Sequence, residues 1–127
     1  MRWEQLLAEL GQKTGLGALA PDETGSCPLL FDGAHELTLT WDEADSTVFF
    51  YGRVADGDTP RGEAGWRSLL AACCLGAETG GAAFALHGPD LLLWKRHDAF
   101  ADFGDLEKAL NSFLARLIQW KEKLAEA

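Results

Sequence analysis

Cys27, the vicinal pair Cys73 and Cys74, and the histidines His35, His87 and His97 are the residues of this chain best able to act as nucleophiles, redox groups, bases or metal ligands. None stands at the spacing its chemistry needs. Redox cysteines work as Cys-x-x-Cys, whereas neighbours on a helix point about 100° apart. One of Cys73 and Cys74 is therefore expected to pack in a core or interface, and the other to be incidental. The three histidines are far apart in sequence, with no His or Cys at ligand spacing. Neither a metal nor a cofactor is expected. Gly11, Lys13, Thr14 and Gly15 resemble a phosphate loop only superficially, because the glycine spacing before Lys-Thr is missing. They read as a helix end. Asp56, Gly57 and Asp58, and the cluster Asp42, Glu43 and Asp45, lack the ligand series and closing Glu of a calcium loop, so they read as solvated turns. There is no Gly-x-Ser-x-Gly elbow, and no nucleophile is paired with a base. The chain reads as a non-enzyme.

The elements that would carry these residues follow from periodicity. Trp3, Leu6, Leu7 and Leu10 recur at helical spacing, and Gly11, Gly15 and Gly17 are expected to stop that helix. Cys27, Leu29 and Phe31 alternate as a strand before the turn pair Asp32 and Gly33. In His35 to Asp42 the residues Leu37, Leu39 and Trp41 share one face, the pattern of a half-exposed antiparallel strand. A turn is expected at 43–46. From Thr47 to Val54 the chain is apolar on both faces, with Val48, Phe50 and Val54 on one and Phe49 and Tyr51 on the other, so cover is expected on both sides.

After the loop at 56–60, Trp66, Leu69, Leu70, Cys73 and Ala77 predict a second helix from Gly62 to Ala77, ended by Gly76, Gly80 and Gly81. Two short strands follow, Ala82 to His87 and Leu91 to Lys95, joined through Gly88, Pro89 and Asp90. Asp102 is the expected N-cap of a last helix whose apolar face holds Leu106, Leu110, Phe113, Leu114, Leu117, Ile118 and Leu124. Asp105 and Glu107 early in it, and Arg116, Lys121 and Lys123 late, suit its dipole. The predicted fold class is α+β, an antiparallel sheet with helices packed on it in the order α-β-β-β-α-β-β-α.

Composition narrows the function classes. With 127 residues, 47% hydrophobic and 24% charged, the chain is expected to fold as one domain, residues 1–127, with a real core. A domain this small gains from a dimer that extends its core. A net charge of -9 and a pI near 4.6 argue against a nucleic-acid groove or an anionic membrane surface as partner. Three cysteines make no disulfide framework, the residues from Met1 to Leu7 have no apolar signal core, and no run approaches the roughly 18 apolar residues that span a bilayer. A reduced, cytosolic protein is expected.

The opening Leu-rich helix, the segment from Cys27 to Phe31, the alternating strand Leu37, Leu39 and Trp41, the Leu69-Leu70 helix, the junction from Thr79 to Ala82 and the ending Phe113, Trp120 and Leu124 together resemble the class I type III secretion chaperones of the Tir chaperone (CesT-like) family. That resemblance implies a homodimer in the bacterial cytoplasm. It would bind the N-terminal chaperone-binding segment of a secreted effector, keep it soluble and non-globular, and dock on the secretion apparatus. It also implies a dimer interface from the second helix and the following strand, at Trp66, Leu69, Leu70, Cys73, Phe84 and Leu86. The opening helix and the sheet would supply effector grooves at Leu6, Leu7, Leu10, Leu29, Phe31, Leu39 and Trp41, with Trp3 and Trp94 as further contact candidates. On that division Leu7→Asp or Leu39→Asp would abolish effector binding and leave the dimer folded, while Leu70→Asp would dissociate or unfold it. The competing reading is a small α+β ligand-binding or regulatory module without catalysis, which requires a closed pocket with convergent polar groups.

Overall fold

A computed structural model describes residues 3–17, 19–42, 47–60, 62–74, 78–97 and 103–125. Its elements are α1 (Trp3–Thr14), β1 (Ser26–Phe31), β2 (His35–Asp42), β3 (Thr47–Asp56), α2 (Gly62–Ala72), β4 (Ala83–His87), β5 (Asp90–His97) and α3 (Phe103–Ala125). The order is the one periodicity predicts. The expected turn at 43–46 and the N-cap Asp102 lie outside the described residues, and α2 ends at Ala72, short of the expected Ala77.

The five strands form one antiparallel sheet in the order β1-β2-β3-β5-β4. The β4–β5 hairpin closes at the pair His87 and Asp90. Its two loop residues suit a tight turn, because Gly88 takes φ +58 and Pro89 is fixed by its ring. β5 rather than β4 enters the middle of the sheet, and its Leu91 and Leu93 are fully buried there.

α3 covers one face of the sheet. Phe103, Leu106, Leu110, Phe113, Leu117, Trp120 and Leu124 are buried, alternating three and four residues apart to make a narrow stripe. Leu114 and Ile118, expected on that face, flank it half-buried. Phe113 meets Phe50 of β3 with ring centroids 5.7 Å apart. One strand position must be bare for α3 to sit this close: a Cβ on Gly52 would lie 2.8 Å from Leu117 Cδ2.

α1 fills the remaining space beside α3. Its Trp3 stacks on Trp41 at 5.8 Å and donates its indole N–H to the Gly25 carbonyl. Lys13 lies 4.5 Å from the Phe103 ring centroid, within cation–π range. Gly11, expected to stop α1, lies inside it instead and is buried. The reason is the chain that follows. The Gly17 amide donates to the Gly11 carbonyl at 3.3 Å, folding the chain back over the helix. A Cβ at Gly11 would come within 1.9 Å of the Gly17 carbonyl oxygen.

Alanine in a helix interior is normally better than glycine by about 1 kcal/mol. At this site forcing a methyl into packed backbone costs roughly 1–3 kcal/mol. Gly11→Ala is therefore expected to lower the melting temperature by several degrees, and a thermal melt at or above the wild-type value would contradict that contact.

β3 departs from expectation on its second face. Val48, Phe50 and Val54 are buried under the helices, but Phe49 and Tyr51 are only half-buried. Their cover is lateral. Phe49 lies 6.2 Å from Trp94 of β5, and Tyr51 stands opposite Trp94 in the register. Aromatic neighbours on adjacent strands shield one another, so no helix is needed there.

Candidate functional site

The residues that could carry chemistry are not brought together. Cys27 is buried, and burial, with Asp22 nearby as a smaller cause, pushes its thiol above the ordinary value, away from the reactive thiolate. Cys73 is half-buried and its Sγ bonds the Leu69 carbonyl, while Cys74 is exposed. His97 packs beside Phe50, with its Nε2 3.5 Å from Asp105 Oδ2 at the start of α3. His35 meets Lys121 at the far end of that helix. Among the described residues no group of three His, Cys, Asp or Glu is placed to hold a metal ion.

The groove candidates need a correction. Leu6, Leu7, Leu10, Leu29 and Leu39 are buried in the single core cluster, so none offers surface to a partner. The space expected to be a groove is filled by α1 and α3 of the same chain. Phe31 and Trp41 are half-buried at its margin, packed against the core. Trp3, a further contact candidate, is buried against Trp41.

Large apolar side chains do reach solvent elsewhere: Leu30 on β1 (52% exposed), Leu70 on α2 (65%), Leu86 on β4 (57%) and Trp94 on β5 (37%). Leu30 was missed because its neighbour Leu29 took the inward place in the alternation. The signal was present, since residues i and i+1 of a strand point to opposite faces.

α2 is the lightest-packed helix, with only Leu69 and Ala72 buried. Those two turn toward the C-terminal part of α3 across an open cleft of about 720 Å³, whose far wall is Trp120, Lys123 and Leu124. Trp120 is held there from two sides. Its indole N–H donates to the Glu78 carbonyl at 3.2 Å, and Phe84 of β4 meets its ring edge-on at 5.0 Å. Leu69, Trp120 and Phe84 thus link α2, α3 and β4, the outer strand, into one apolar region. Leu70 projects from the outer side of α2, and Trp66 and Cys73 are half-buried on it.

Asp22 anchors the entry to β1. Its carboxylate is held below its ordinary value by the Thr24 hydroxyl first, and then by the amides of Ser26 and Thr24. A carboxyl whose value falls on folding stabilises above its unfolded value and loses that contribution as pH drops through the folded one. An NMR titration of the Ser26 amide is therefore expected to show a midpoint below 3.8. A midpoint at or above it would show that these bonds do not persist in solution.

Residues 5–121 match the Tir chaperone protein (CesT) family. No curated protein sequence matches the chain. Among solved structures the chain is similar to one in the crystal structure of the ExsC-ExsE complex, with a TM-score of 0.81 and 24% identity over 95% of this chain and 92% of that one. It is also similar to a chain of the HopA1-SchA chaperone-effector complex, with a TM-score of 0.76 and 19% identity over 98% and 94% of the two chains. A third likeness is to the Yersinia pestis type III secretion chaperone SycH in complex with a stable fragment of YscM2, with a TM-score of 0.70 and 17% identity over 94% and 99%. At these identities the likenesses establish a shared fold. No described helix is long and apolar enough to cross a membrane.

Proposed function

We propose that this chain, which belongs to the Tir chaperone protein (CesT) family, is a type III secretion chaperone. It binds the N-terminal segment of a secreted effector and keeps it soluble, non-globular and competent for export. The family match over residues 5–121 carries this reading, and the likeness to solved complexes of a chaperone with an effector or protein fragment supports it. In this reading residues 1–127 act as one domain in the bacterial cytoplasm, without catalysis, metal or cofactor.

The physics such a role requires is modest. An extended segment can be held by apolar side-chain contacts and by main-chain pairing to a sheet edge, with no nucleotide. Ordering the segment costs about 2–5 kcal/mol, so the contact must be large. A homodimer supplies two copies of every contact surface. The surface assigned to self-association is the α2–β4 region, through Leu70 and Leu86 with Trp66, Leu69, Cys73 and Phe84 around them. β4 carries no proline and no Asp, Glu, Lys or Arg, and such an edge invites pairing unless something covers it.

The competing ligand-binding reading has one observation in its favour, the cleft beside α2. Its walls mix Thr59, Ser68, Glu78 and Lys123 with Pro60, Leu69, Ala72 and Leu124, and the indole N–H of Trp120 is already engaged by the Glu78 carbonyl.

Co-expression with products of neighbouring genes, followed by size exclusion with light scattering, decides the matter. The expected species is a dimer of the 13.8 kDa chain carrying one effector copy whose N-terminal segment resists protease. A monomer that recruits none of them would overturn the proposal.

A further inference from the structure

α2 carries the exposed Leu70, yet its own packing does little to aim it. The helix buries Leu69 and Ala72, and on its inner side the small residues Gly65, Ser68 and Ala72 line the open cleft in front of Trp120 and Leu124. Its direction is therefore set at its ends. At the first, Gly65 rests on Pro60, where a Cβ would come within 3.1 Å of the Pro60 carbonyl carbon. At the other, the Glu78 amide donates to the Ala72 carbonyl at 3.1 Å and ties α2 to the turn that leads into β4.

That turn, residues 78–82, is gripped by three side-chain donors. Trp120 Nε1 and Arg116 Nη1 on α3 donate to the Glu78 carbonyl at 3.2 and 3.5 Å, and Lys95 Nζ on β5 donates to the Gly80 carbonyl at 3.0 Å. Lys95 is the unexpected member. It stands opposite Phe50 on the helix-covered face, in line with Leu91 and Leu93, where alternation calls for an apolar side chain. A half-buried ammonium there is costly unless an acceptor meets it, and the Gly80 carbonyl does so. Gly80 and Gly81, at φ +66 and +90, let both cations come close: a Cβ on Gly80 would lie 3.1 Å from Arg116 Nε, and one on Gly81 3.5 Å from Lys95 Cε. The buried Thr79 hydroxyl donates to the Ala82 carbonyl and braces the turn from within.

Resting on the self-association reading above, we infer that Lys95, Arg116 and Trp120 form a latch that fixes where α2 presents Leu70. Lys95 is thus a positioning residue for the dimer, although it lies on the inner face of the sheet and outside the self-association surface. With the latch closed, Leu70 on α2 and Leu86 on β4 hold one fixed relation. With it open, α2 keeps only its hold on Pro60 and the contacts of Leu69 and Ala72.

Sedimentation equilibrium of the full-length chain reads the dissociation constant of the dimer. Lys95→Met removes the donor and leaves an unbranched apolar chain beside Phe50, so far-UV circular dichroism is expected to stay unchanged, while self-association weakens about tenfold or more. Lys95→Arg, which keeps a charged donor, is expected to stay within about threefold of wild type. Because the latch acts through α2, the losses from Lys95→Met and Leu70→Ala are expected to fall short of multiplying when the two are combined. Full multiplication, equal losses from the two Lys95 substitutions, or a Lys95→Met chain that associates like wild type would overturn the latch. Should Lys95→Met fail to fold, hydrogen exchange on the wild-type chain decides: protection of the Trp120 indole N–H supports the latch, and exchange at the rate of an exposed indole overturns it. A wild-type chain that is monomeric at every concentration would instead sink the self-association reading itself.

Discussion

Leu39→Asp is expected to unfold the chain, not to separate binding from folding. Leu39 is 0% exposed and stands opposite Cys27 on one side and Phe50 on the other, in the middle of the sheet under the helices. Removing a buried leucine costs about 2–5 kcal/mol when a cavity is left. An aspartate adds the desolvation of a carboxyl with no partner nearby, a further several kcal/mol even if it takes up a proton. A domain of this size has about 5–15 kcal/mol in total, so the two costs together remove most or all of it. The expected result is insoluble protein, or a chain without a cooperative thermal transition. Leu7→Asp should behave alike, since Leu7 is also 0% exposed. Retention of a wild-type melt by either variant would show that α1 lifts away from the sheet and that these leucines are accessible after all.

Reading from periodicity placed these leucines on the right faces of the right elements, yet could not say what lies over each face. Leu39 was assigned to a groove through the family resemblance, and its alternating strand is equally consistent with a solvated apolar strip and with a core. What decides is α3, whose buried stripe from Phe103 to Leu124 runs long enough to roof the sheet. Adjacent leucines were the more legible signal. Leu29 and Leu30 on a strand must point to opposite faces, so one of them had to leave the core, whereas neighbours about 100° apart on a helix can both be buried, as Leu6 and Leu7 are.

Other features depend on contacts across the fold and have no trace in local pattern. Gly11 reads as a helix stop until Gly17 is seen lying on it. The place of β5 between β3 and β4 depends on which strand of a hairpin docks. Its longer apolar run, Leu91 to Trp94, favours the central position over Ala83 and Ala85 of β4, but only comparison of the two strands exposes that. The bond from the Ser26 amide to the Asp22 carboxylate depends on a turn four residues upstream.

The double variant Leu70→Asp with Leu86→Asp is expected to do the opposite of Leu39→Asp: leave the monomer folded and abolish self-association. In the isolated chain these side chains are 65% and 57% exposed, so their loss removes little from the core. In a two-fold dimer every contact occurs twice. Four leucines would be withdrawn from the interface at about 1.5 kcal/mol or more each, and the carboxylates that replace them would face one another on a chain that already carries -9. The loss of roughly 6 kcal/mol corresponds to a dissociation constant about ten-thousandfold weaker. Light scattering at micromolar concentration should then report one copy, with far-UV circular dichroism unchanged. A variant that stays dimeric would move the interface away from α2 and β4, and the half-covered aromatic face of Phe49, Tyr51 and Trp94 would become the surface to probe next. A variant that unfolds instead would mean that the α2–β4 region has no stable form outside the dimer, which the concentration dependence of wild-type melting would reveal independently.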